Sequence, residues 1–353
     1  MKIDKAELSQ KIKKLKNIVP VKTYRTEIQG ILVQNGYMTA SNTELTVKAK
    51  TEEADGESFV IPLKAFDLIN NLPDGDVEIT AGQNNKAYNI SIKAAKIKNK
   101  YQVTDPALFP LPQTDCESED EFTIDSELLL TSMKRVSYAV AANAGNPVLK
   151  ALYLHAENGT LNFVGSDSHV LAWDKITFDG SFKLLIPKAA IEKITAIGIS
   201  GNVCIRHSKS SAVFVCEGYE IYTRIVEGEY LRYQNIFKEF HLHTVISRVE
   251  LLEAMTRAKM CTEEKCPVKF AMENSTLNLS IKDRMTDYDE TLDLQEDLAE
   301  PLTIAFDAGL VLETLKAFDC DNVGLSLEGP RMPMIVEAED SDFRAIVLPV
   351  AIS

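Results

Sequence analysis

The fold is predicted most clearly from the stretch LKALYLHAENGTLNFVGSDSHVLAWDK, residues 149–175. Its apolar residues alternate with a period of two, which predicts strands over 151–155 and 160–164 and a third strand from Val170. The step Asn158-Gly159 favours a two-residue hairpin, because both central residues of such a turn need positive φ. A polar segment, GSDSH at 165–169, then separates the second strand from the third. The stretch therefore predicts an antiparallel unit.

The same strand–turn–strand pattern occurs once before this stretch and once after it. The earlier copy covers 28–49 with a turn at Asn35-Gly36, and the later copy covers 268–294. A predicted helix follows each copy of the pattern, and the three helices cover 62–69, 187–197 and 307–318. Pro62 and Pro187 suit the first turn of the first two helices. Further strand pairs begin at 76, 202 and 322. The chain therefore reads as three copies of one unit.

A capped amphipathic helix opens each copy. The predicted caps are Asp4, Asp125 and Ser247, which stand 121 and 122 residues apart. At offsets of 4, 8, 11 and 15 from each cap lie the apolar face residues, which are Leu8, Ile12, Leu15 and Val19, then Leu129, Met133, Val136 and Val140, then Leu251, Met255, Ala258 and Thr262. A repeat of this length indicates whole domains in tandem.

The fold class predicted from these repeats is α+β. Acidic residues at 116–121 indicate a first linker and 237–243 a second, so the expected domains are 1–118, 119–241 and 242–353. We expect each domain to pack two helices on antiparallel sheet. A chain of 353 residues is too long for one ordinary core, which agrees with this division.

Composition excludes some classes of protein. The chain is 45% hydrophobic and 25% charged, has no run of about 18 apolar residues and begins without an apolar signal core, so a cytoplasmic protein without a membrane span is expected. Its net charge of −14 argues against a generally basic nucleic-acid-binding protein. A protein that confines its positive charge to one surface is still compatible with this net charge.

The sequence predicts no metal and no cofactor. Six scattered cysteines without a CxxC pair indicate reduced thiols, and Cys261 with Cys266 lacks the second pair or nearby His of a zinc site. A group of aspartates lacks EF-hand spacing and its glycine, so a solvated strand face is the expected interpretation. These aspartates are Asp283, Asp287, Asp289 and Asp293.

An enzyme centred on His169 is the first alternative class. His169 follows Ser166, Asp167 and Ser168 directly, so alternate side chains diverge, whereas a nucleophilic triad converges from separate segments. No G-x-S-x-G, phosphate-binding loop, H-E-x-x-H or dinucleotide fingerprint is present. We therefore predict no catalytic residue, and the hydrolase alternative would require loss of turnover on substitution of His169.

Three segments and the repeats together resemble one family. GSDSHVLA at 165–172, VEGEYLRY at 226–233 and IVLPV at 346–350 resemble the bacterial sliding clamp, the beta subunit of DNA polymerase III. The resemblance implies a head-to-tail homodimeric ring that double-stranded DNA threads, without catalysis. Implied partners are the DNA polymerase III catalytic subunit, the clamp loader and other proteins with clamp-binding motifs. The alternative is a clamp-derived scaffold that binds proteins but does not encircle DNA.

The three copies allow the predicted binding of DNA to be tested independently of that resemblance. Offsets nine and ten from each cap lie well away from the apolar face, so their side chains point to solvent. Cations recur there in a protein with an excess of acids, which favours phosphate contacts over a merely solubilising surface. The offset residues are Lys13, Lys14, Lys134, Arg135, Thr256 and Arg257. The resemblance adds Lys22 and Asn143 on the loops that follow the first two helices.

The resemblance also implies a groove between the second and third domains that receives partner peptides. Its residues would be Leu149, Ser166, Ser168, His169, Val170, Leu171, Leu231, Asn235, Ile236, Pro333, Ile346, Leu348, Pro349 and Val350. Ser168 stands where the family has glycine and Val170 where it has arginine. We therefore expect strain at Ser168, a more apolar groove and an altered peptide preference.

For the subunit interface, the resemblance implies contacts near Tyr101 and Met260. Lys259 and Lys265 stand where the family is usually apolar. Charge complementarity would then have to contribute to dimerisation.

Overall fold

A computed structural model describes residues 1–84, 87–112, 121–261, 267–282 and 286–351. Contacts within the chain group it into two compact units, Met1–Leu129 with Ala189–Ile225, and Leu130–Lys188 with the chain from Val226 onward. The described residues form six α-helices and 22 strands, and every strand pairing is antiparallel. The α+β class predicted from the sequence is confirmed.

The elements follow the predicted repeat. The first copy consists of β1 (Lys2–Asp4), α1 (Lys5–Lys16), β2 (Gly30–Gln34), β3 (Tyr37–Ser41), β4 (Leu45–Lys50), β5 (Ser58–Pro62), α2 (Phe66–Asn70), β6 (Asp76–Asn84), β7 (Ala87–Ala94) and β8 (Ile97–Val103). The second consists of β9 (Glu121–Asp125), α3 (Ser126–Ser137), β10 (Ala151–Glu157), β11 (Thr160–Ser166), β12 (Val170–Thr177), β13 (Phe182–Pro187), α4 (Lys188–Ile197), β14 (Asn202–His207), β15 (Ser211–Cys216) and β16 (Tyr219–Arg224). The third consists of β17 (Leu242–Ser247), α5 (Arg248–Met260), β18 (Val268–Lys282), β19 (Asp287–Phe306), α6 (Ala308–Ala317), β20 (Asn322–Leu327), β21 (Met334–Glu337) and β22 (Arg344–Val347).

Two eight-stranded sheets join neighbouring copies. Their strand orders are β5-β2-β3-β4-β16-β15-β14-β9 and β13-β10-β11-β12-β22-β21-β20-β17. In each, four strands of one copy meet four strands of the next, through β4–β16 and through β12–β22. Two smaller sheets are β1-β6-β7-β8 from the first copy and β18-β19 from the third.

The first helix of each copy starts at its predicted cap. The carboxylates of Asp4 and Asp125 each accept two backbone N–H bonds of the first turn, at 2.8–3.3 Å. The Ser247 hydroxyl accepts one such bond at 3.4 Å. These bonds satisfy N–H groups that have no partner inside the helix, so the predicted helix starts are confirmed.

Helix lengths differ from the prediction. Val19 and Val140 lie beyond the ends of α1 and α3, yet both are buried. Pro62 and Pro187 end strands β5 and β13 instead of lying in the first turn of a helix, because extended backbone suits the fixed φ of proline as well as a helix start does.

The predicted hairpin turns are confirmed. Asn35 and Gly36 have φ of 52° and 76°, and Asn158 and Gly159 have φ of 54° and 78°. These positive angles match the twist of the flanking strands. The third hairpin is longer, with strands of 15 and 20 residues and register shifts between Met272 and 276.

Within the described ranges, no helix is long and apolar enough to cross a membrane. The same residues contain no group of three or more His, Cys, Asp or Glu that could hold a metal ion. Cysteines at 204, 216, 261 and 320 are free thiols. Cys116, Thr262, Lys265, Cys266 and Asp283 lie outside the described residues.

Candidate functional site

The polar segment before β12 forms a compact turn. One oxygen of Asp167 accepts the backbone N–H groups of His169 and Val170, each at 2.8 Å. The buried Ser166 hydroxyl accepts the N–H of Ser168 at 3.2 Å and donates to the Val170 carbonyl at 3.0 Å. Ser168 has φ of 76°, so a non-glycine residue does stand in a left-handed position, as its departure from the family pattern predicts.

The first copy contains the same turn. Asn42 accepts the N–H groups of Glu44 and Leu45 at 3.1 and 2.8 Å, and Thr43 has φ of 77°. Ser41 accepts the N–H of Thr43 at 3.3 Å, as Ser166 does for Ser168. The exposed His169 therefore takes the place of Glu44 and contributes a backbone group to a structural turn, which gives the hydrolase alternative no geometric support.

The turn and the C-terminal segment meet in one sheet. Val170 pairs with Val347 and Leu171 with Ile346 along β12 and β22. The N–H of Leu348 then donates to the carbonyl of His169 at 2.8 Å. Two of the three predicted groove segments are therefore adjacent.

The third segment, 226–240, is held by an aromatic cluster. Tyr233 is 1% exposed, and its ring centroid lies 5.2 Å from that of Trp173 and 6.3 Å from that of Tyr153. The Tyr233 hydroxyl is hydrogen-bonded to Nδ1 of His155 at 3.1 Å. The Trp173 indole donates to Asn162 at 2.9 Å. The sequence interpretation missed this cluster, although the aromatic spacing of VEGEYLRYQNIF was a signal for it.

Burial dominates the electrostatics of this cluster. It lowers the pKa of His155, although the nearby Glu157 carboxylate acts in the opposite direction. It raises the pKa of the Tyr233 and Tyr230 hydroxyls. These groups are therefore neutral near pH 7 and act as hydrogen-bonding and packing groups.

Apolar side chains surround this supporting cluster. Leu231 packs against the cluster that contains Leu171 and Ile346, and Leu149, Pro333 and Pro349 are half-buried. Exposed apolar side chains of these segments are Ile236, Met332, Leu348 and Val350, at 38%, 44%, 40% and 41%. Asn235 is exposed, and the N–H of Val350 bonds to Ala305. Met332 is an additional candidate that the sequence interpretation did not name.

The cations on α1 and α3 divide into two kinds. Lys13 and Lys134, at offset nine, are exposed. Lys14, at offset ten, is half-buried with Nζ 5.0 Å from the centre of the Tyr219 ring. Arg135, also at offset ten, lies 3.7 Å from a buried carboxylate oxygen of Asp174. The helical wheel predicts that the side chains at offset ten point to solvent. In the structure they turn toward the sheet instead, because a side chain on a neighbouring strand attracts the cation.

Arg257 is held in the same way on α5. It contacts Glu290 through two hydrogen bonds of 2.6 and 3.1 Å, and Glu253 at 3.7 Å. The hydrogen bond from Arg257 holds the pKa of the Glu290 carboxyl below its usual value. Thr256, at offset nine, is exposed and uncharged. The third copy therefore offers less uncompensated positive charge than the first two.

The remaining predicted residues lie on loops and edges. Lys22 and Asn143 are exposed, and the fully exposed Tyr24 beside Lys22 is an aromatic candidate that the sequence interpretation did not name. Tyr101 is half-buried on β8, and Met260 is 80% exposed at the end of α5.

The chain is similar to sliding clamps of several bacteria. A "Beta sliding clamp" of Chlamydia muridarum is 26% identical over 95% of this chain and 94% of its own, and one of Streptococcus pneumoniae is 22% identical over 95% and 93%. The crystal structure of the DNA polymerase sliding clamp from Bacillus subtilis has a TM-score of 0.91 at 20% identity, covering 100% of this chain and 99% of that one.

Two models of one sequence family match consecutive parts of the chain. The DNA polymerase III beta subunit central domain matches residues 123–231, and the C-terminal domain matches 234–351. Together they cover more than half of the sequence and leave room for a third domain before them, in agreement with a three-domain chain. The exact boundaries 1–118, 119–241 and 242–353 stay a prediction. The chain belongs to the DNA polymerase III beta subunit family, the bacterial sliding clamps.

Proposed function

We propose that two copies of this chain close head to tail into a ring around duplex DNA and hold DNA polymerase III on its template, without catalysing a reaction. The observation that carries this proposal is the recurrence of exposed Lys13 and Lys134 at equivalent helix positions in a chain of net charge −14. Such cations contact phosphates without reading bases, which suits a protein that slides. The acidic remainder disfavours DNA on other surfaces.

The other predicted DNA contacts have graded roles. Lys22 and Asn143 are exposed on loops and can reach a phosphate directly. Lys14 and Arg135 add positive potential while they bind the neighbouring strand. Arg257 contributes least, because Glu290 and Glu253 already neutralise it. We therefore place the main phosphate contacts in the first two domains.

The groove receives the partners. We propose that an extended peptide from the polymerase catalytic subunit, the clamp loader or another clamp-binding protein lays two apolar anchors against it. Leu348, Val350 and Ile236 offer apolar surface there, and Val170 adds no charge. This composition favours apolar over acidic peptides. The protein would act in the cytoplasm, where bacterial DNA is replicated.

The test of encirclement is topological. The chain is assembled on nicked circular duplex DNA with a clamp loader and ATP, washed in high salt, and the DNA is then cut once. A ring stays on the circle through the wash and slides off the linear product. Retention after cutting would contradict the proposal. Peptide binding without any retention on the circle would establish the protein-binding scaffold instead.

The cationic surface is tested with matched charge reversals. Lys13→Glu with Lys134→Glu should weaken binding to duplex DNA and reduce the slope of log affinity against log salt by about 4, because a ring of two chains loses four phosphate contacts. Lys209→Glu, an exposed loop residue between β14 and β15, is the control and should change neither. Equal effects of the helix and control variants would overturn the assignment.

A further inference from the structure

A buried carboxylate lies beside the arginine of α3. The Asp174 side chain on β12 is 4% exposed, and its Oδ2 lies 3.7 Å from Nη1 of Arg135. Its Oδ1 accepts the backbone N–H of Lys175 at 3.0 Å, but Oδ2 accepts no hydrogen bond from any residue that the structure describes. Arg135 therefore compensates the charge on this oxygen, and it does so from beyond the distance of a hydrogen bond.

The surroundings of Asp174 make its negative charge unfavourable. Burial raises the pKa of this carboxyl, and the carboxylate of Asp342 acts in the same direction, whereas the side chains of Ser132 and Arg135 oppose the shift. Departure of Arg135 would leave the buried carboxylate without its compensating cation. Such a loss costs more free energy than the separation of an exposed ion pair. Asp174 therefore draws Arg135 back toward β12.

The first copy has no acid at this position. The turns between β3 and β4 and between β11 and β12 each contain four residues, so Ala49 stands at the position of Asp174. Lys14, the cation of α1 at the same offset as Arg135, lies over the ring of Tyr219 and meets no opposing charge there. A contact of this kind is weak, about 0.5–1 kcal/mol at exposed sites. The repeat thus folds without the acid, which makes Asp174 a specific feature of the second copy.

The third copy shows the opposite extreme. Arg257 donates two hydrogen bonds to Glu290, and the Tyr288 hydroxyl contacts the same carboxylate. An arginine with two such bonds is committed to its partner. Arg135 is 30% exposed and has no hydrogen bond to Asp174, so it can exchange one acidic partner for another. Of the three cations, Arg135 is therefore the one placed to alternate.

We propose that Asp174 competes with DNA phosphate for Arg135. A phosphate of the enclosed duplex draws Arg135 away from the sheet, and the buried carboxylate then takes it back. The competition weakens the hold on any one phosphate, which suits continuous movement along DNA. Asp174 is in this sense a positioning residue that acts through Arg135. The proposal rests on the encirclement of DNA proposed above and adds a residue that limits the strength of the contact.

Asp174→Asn tests the competition, because it removes the charge and keeps the shape of the side chain. The variant ring should bind duplex DNA about tenfold more tightly at low salt, and the slope of log affinity against log salt should steepen by about 2, one contact for each chain. Tracking of labelled rings loaded onto duplex DNA should show slower diffusion. Unchanged binding, while Lys13→Glu with Lys134→Glu still weakens it, would overturn the competition and leave encirclement intact.

Two controls assign the effect to Arg135. Asp342→Asn removes the same charge from the same neighbourhood, but its ion pair of 3.1 Å is with Lys175, so DNA affinity should change little. Asp174→Asn combined with Arg135→Gln should show none of the gain in affinity. An equal gain with Asp342→Asn, or a gain that persists in the double variant, would show a general effect of charge and overturn the proposal.

A comparison that leaves Asp174 in place keeps the test valid if Asp174→Asn fails to fold. Thermal unfolding first verifies that Arg135→Gln and Lys134→Gln are folded. Because Asp174 already neutralises Arg135, Arg135→Gln should reduce the salt slope by less than half as much as Lys134→Gln, which removes an exposed cation. Equal reductions would show that Arg135 is fully available to phosphate and would overturn the proposal.

Discussion

The turn at Ser41–Leu45 and the turn at Ser166–Val170 share their backbone N–H bonds to a Ser and an Asx side chain, but only the second lies beside a candidate peptide groove. Each has an Asx side chain that accepts two N–H bonds and a left-handed third residue. The motif that made residues 165–172 distinctive is therefore a structural device of the repeat. What makes the second location special must lie in its neighbours.

The neighbours that differ are the segments that follow β8 and β16, the last strands of the first two copies. After β8, Phe109 packs against Ile28, Leu32 and Val60 in a small cluster. After β16, Tyr233 and its flanking aromatic residues pack into a larger cluster. This difference indicates that the turn positions the strands, whereas the aromatic residues of the segment after β16 support the groove.

Removal of the buried aromatic residue after β16 should have the largest effect. Tyr233→Ala should cost about 3–5 kcal/mol of unfolding free energy, as for other buried aromatic truncations, and should abolish peptide binding. Phe109→Ala should cost a similar amount but leave peptide binding intact. Thermal unfolding and fluorescence anisotropy with a labelled clamp-binding peptide measure both. Equal loss of peptide binding in the two variants would contradict the claim that only the cluster around Tyr233 supports the groove.

Truncation of the turn acceptor should have an intermediate effect. Asp167→Ala and Asn42→Ala each leave two N–H groups without their acceptor, which should cost about 1–3 kcal/mol, with the charged Asp167 at the upper end. Peptide affinity should fall only for Asp167→Ala. If Asn42→Ala weakened the peptide equally, the effect would be global destabilisation and not the local turn.

Glycine at the left-handed position should stabilise both turns by about 1 kcal/mol. The gain should be larger for Thr43→Gly than for Ser168→Gly, because a β-branched side chain tolerates positive φ least. Denaturant unfolding measures the difference. A loss of stability in both variants would show that the hydroxyl side chains compensate for the strain.

The smallest expected effect is a dependence of stability on acid pH, which only the cluster that contains Tyr233 and His155 should show. Burial lowers the pKa of His155, so the unfolded chain binds the proton first. The stabilising contribution is complete above about pH 6.5 and falls as the pH decreases toward the folded pKa. Melting temperatures of the unsubstituted chain and His155→Gln between pH 7.5 and 5.5 should therefore converge on acidification. Parallel curves would contradict this assignment.

Much of the fold follows from local sequence. Asp4 and Asp125 mark helix starts because short polar side chains bond free N–H groups, and Asn158-Gly159 marks a hairpin because few residues adopt its φ angles. Patterns of this kind depend on a few neighbouring residues. They therefore predict elements, turns and the repeat.

The site was predictable only in part, for a physical reason. Arg257 was expected to be free on its helix, but its partner Glu290 lies 33 residues further along the chain, and nothing local indicates that pairing. Tyr233 likewise becomes a supporting residue only through contact with Trp173 and His155. Side-chain partners distant in sequence are set by packing, and sequence patterns do not report packing.

Strand sharing between copies also has a consequence for synthesis on the ribosome. β12 is made about 170 residues before its partner β22. At about 5–20 residues per second, the nascent chain carries an unprotected β12 edge for about 10–30 s. During that interval, the edge is open to pairing with other nascent chains. Slow codons or a bound chaperone over residues 178–343 would therefore change the yield of native protein more than its final stability.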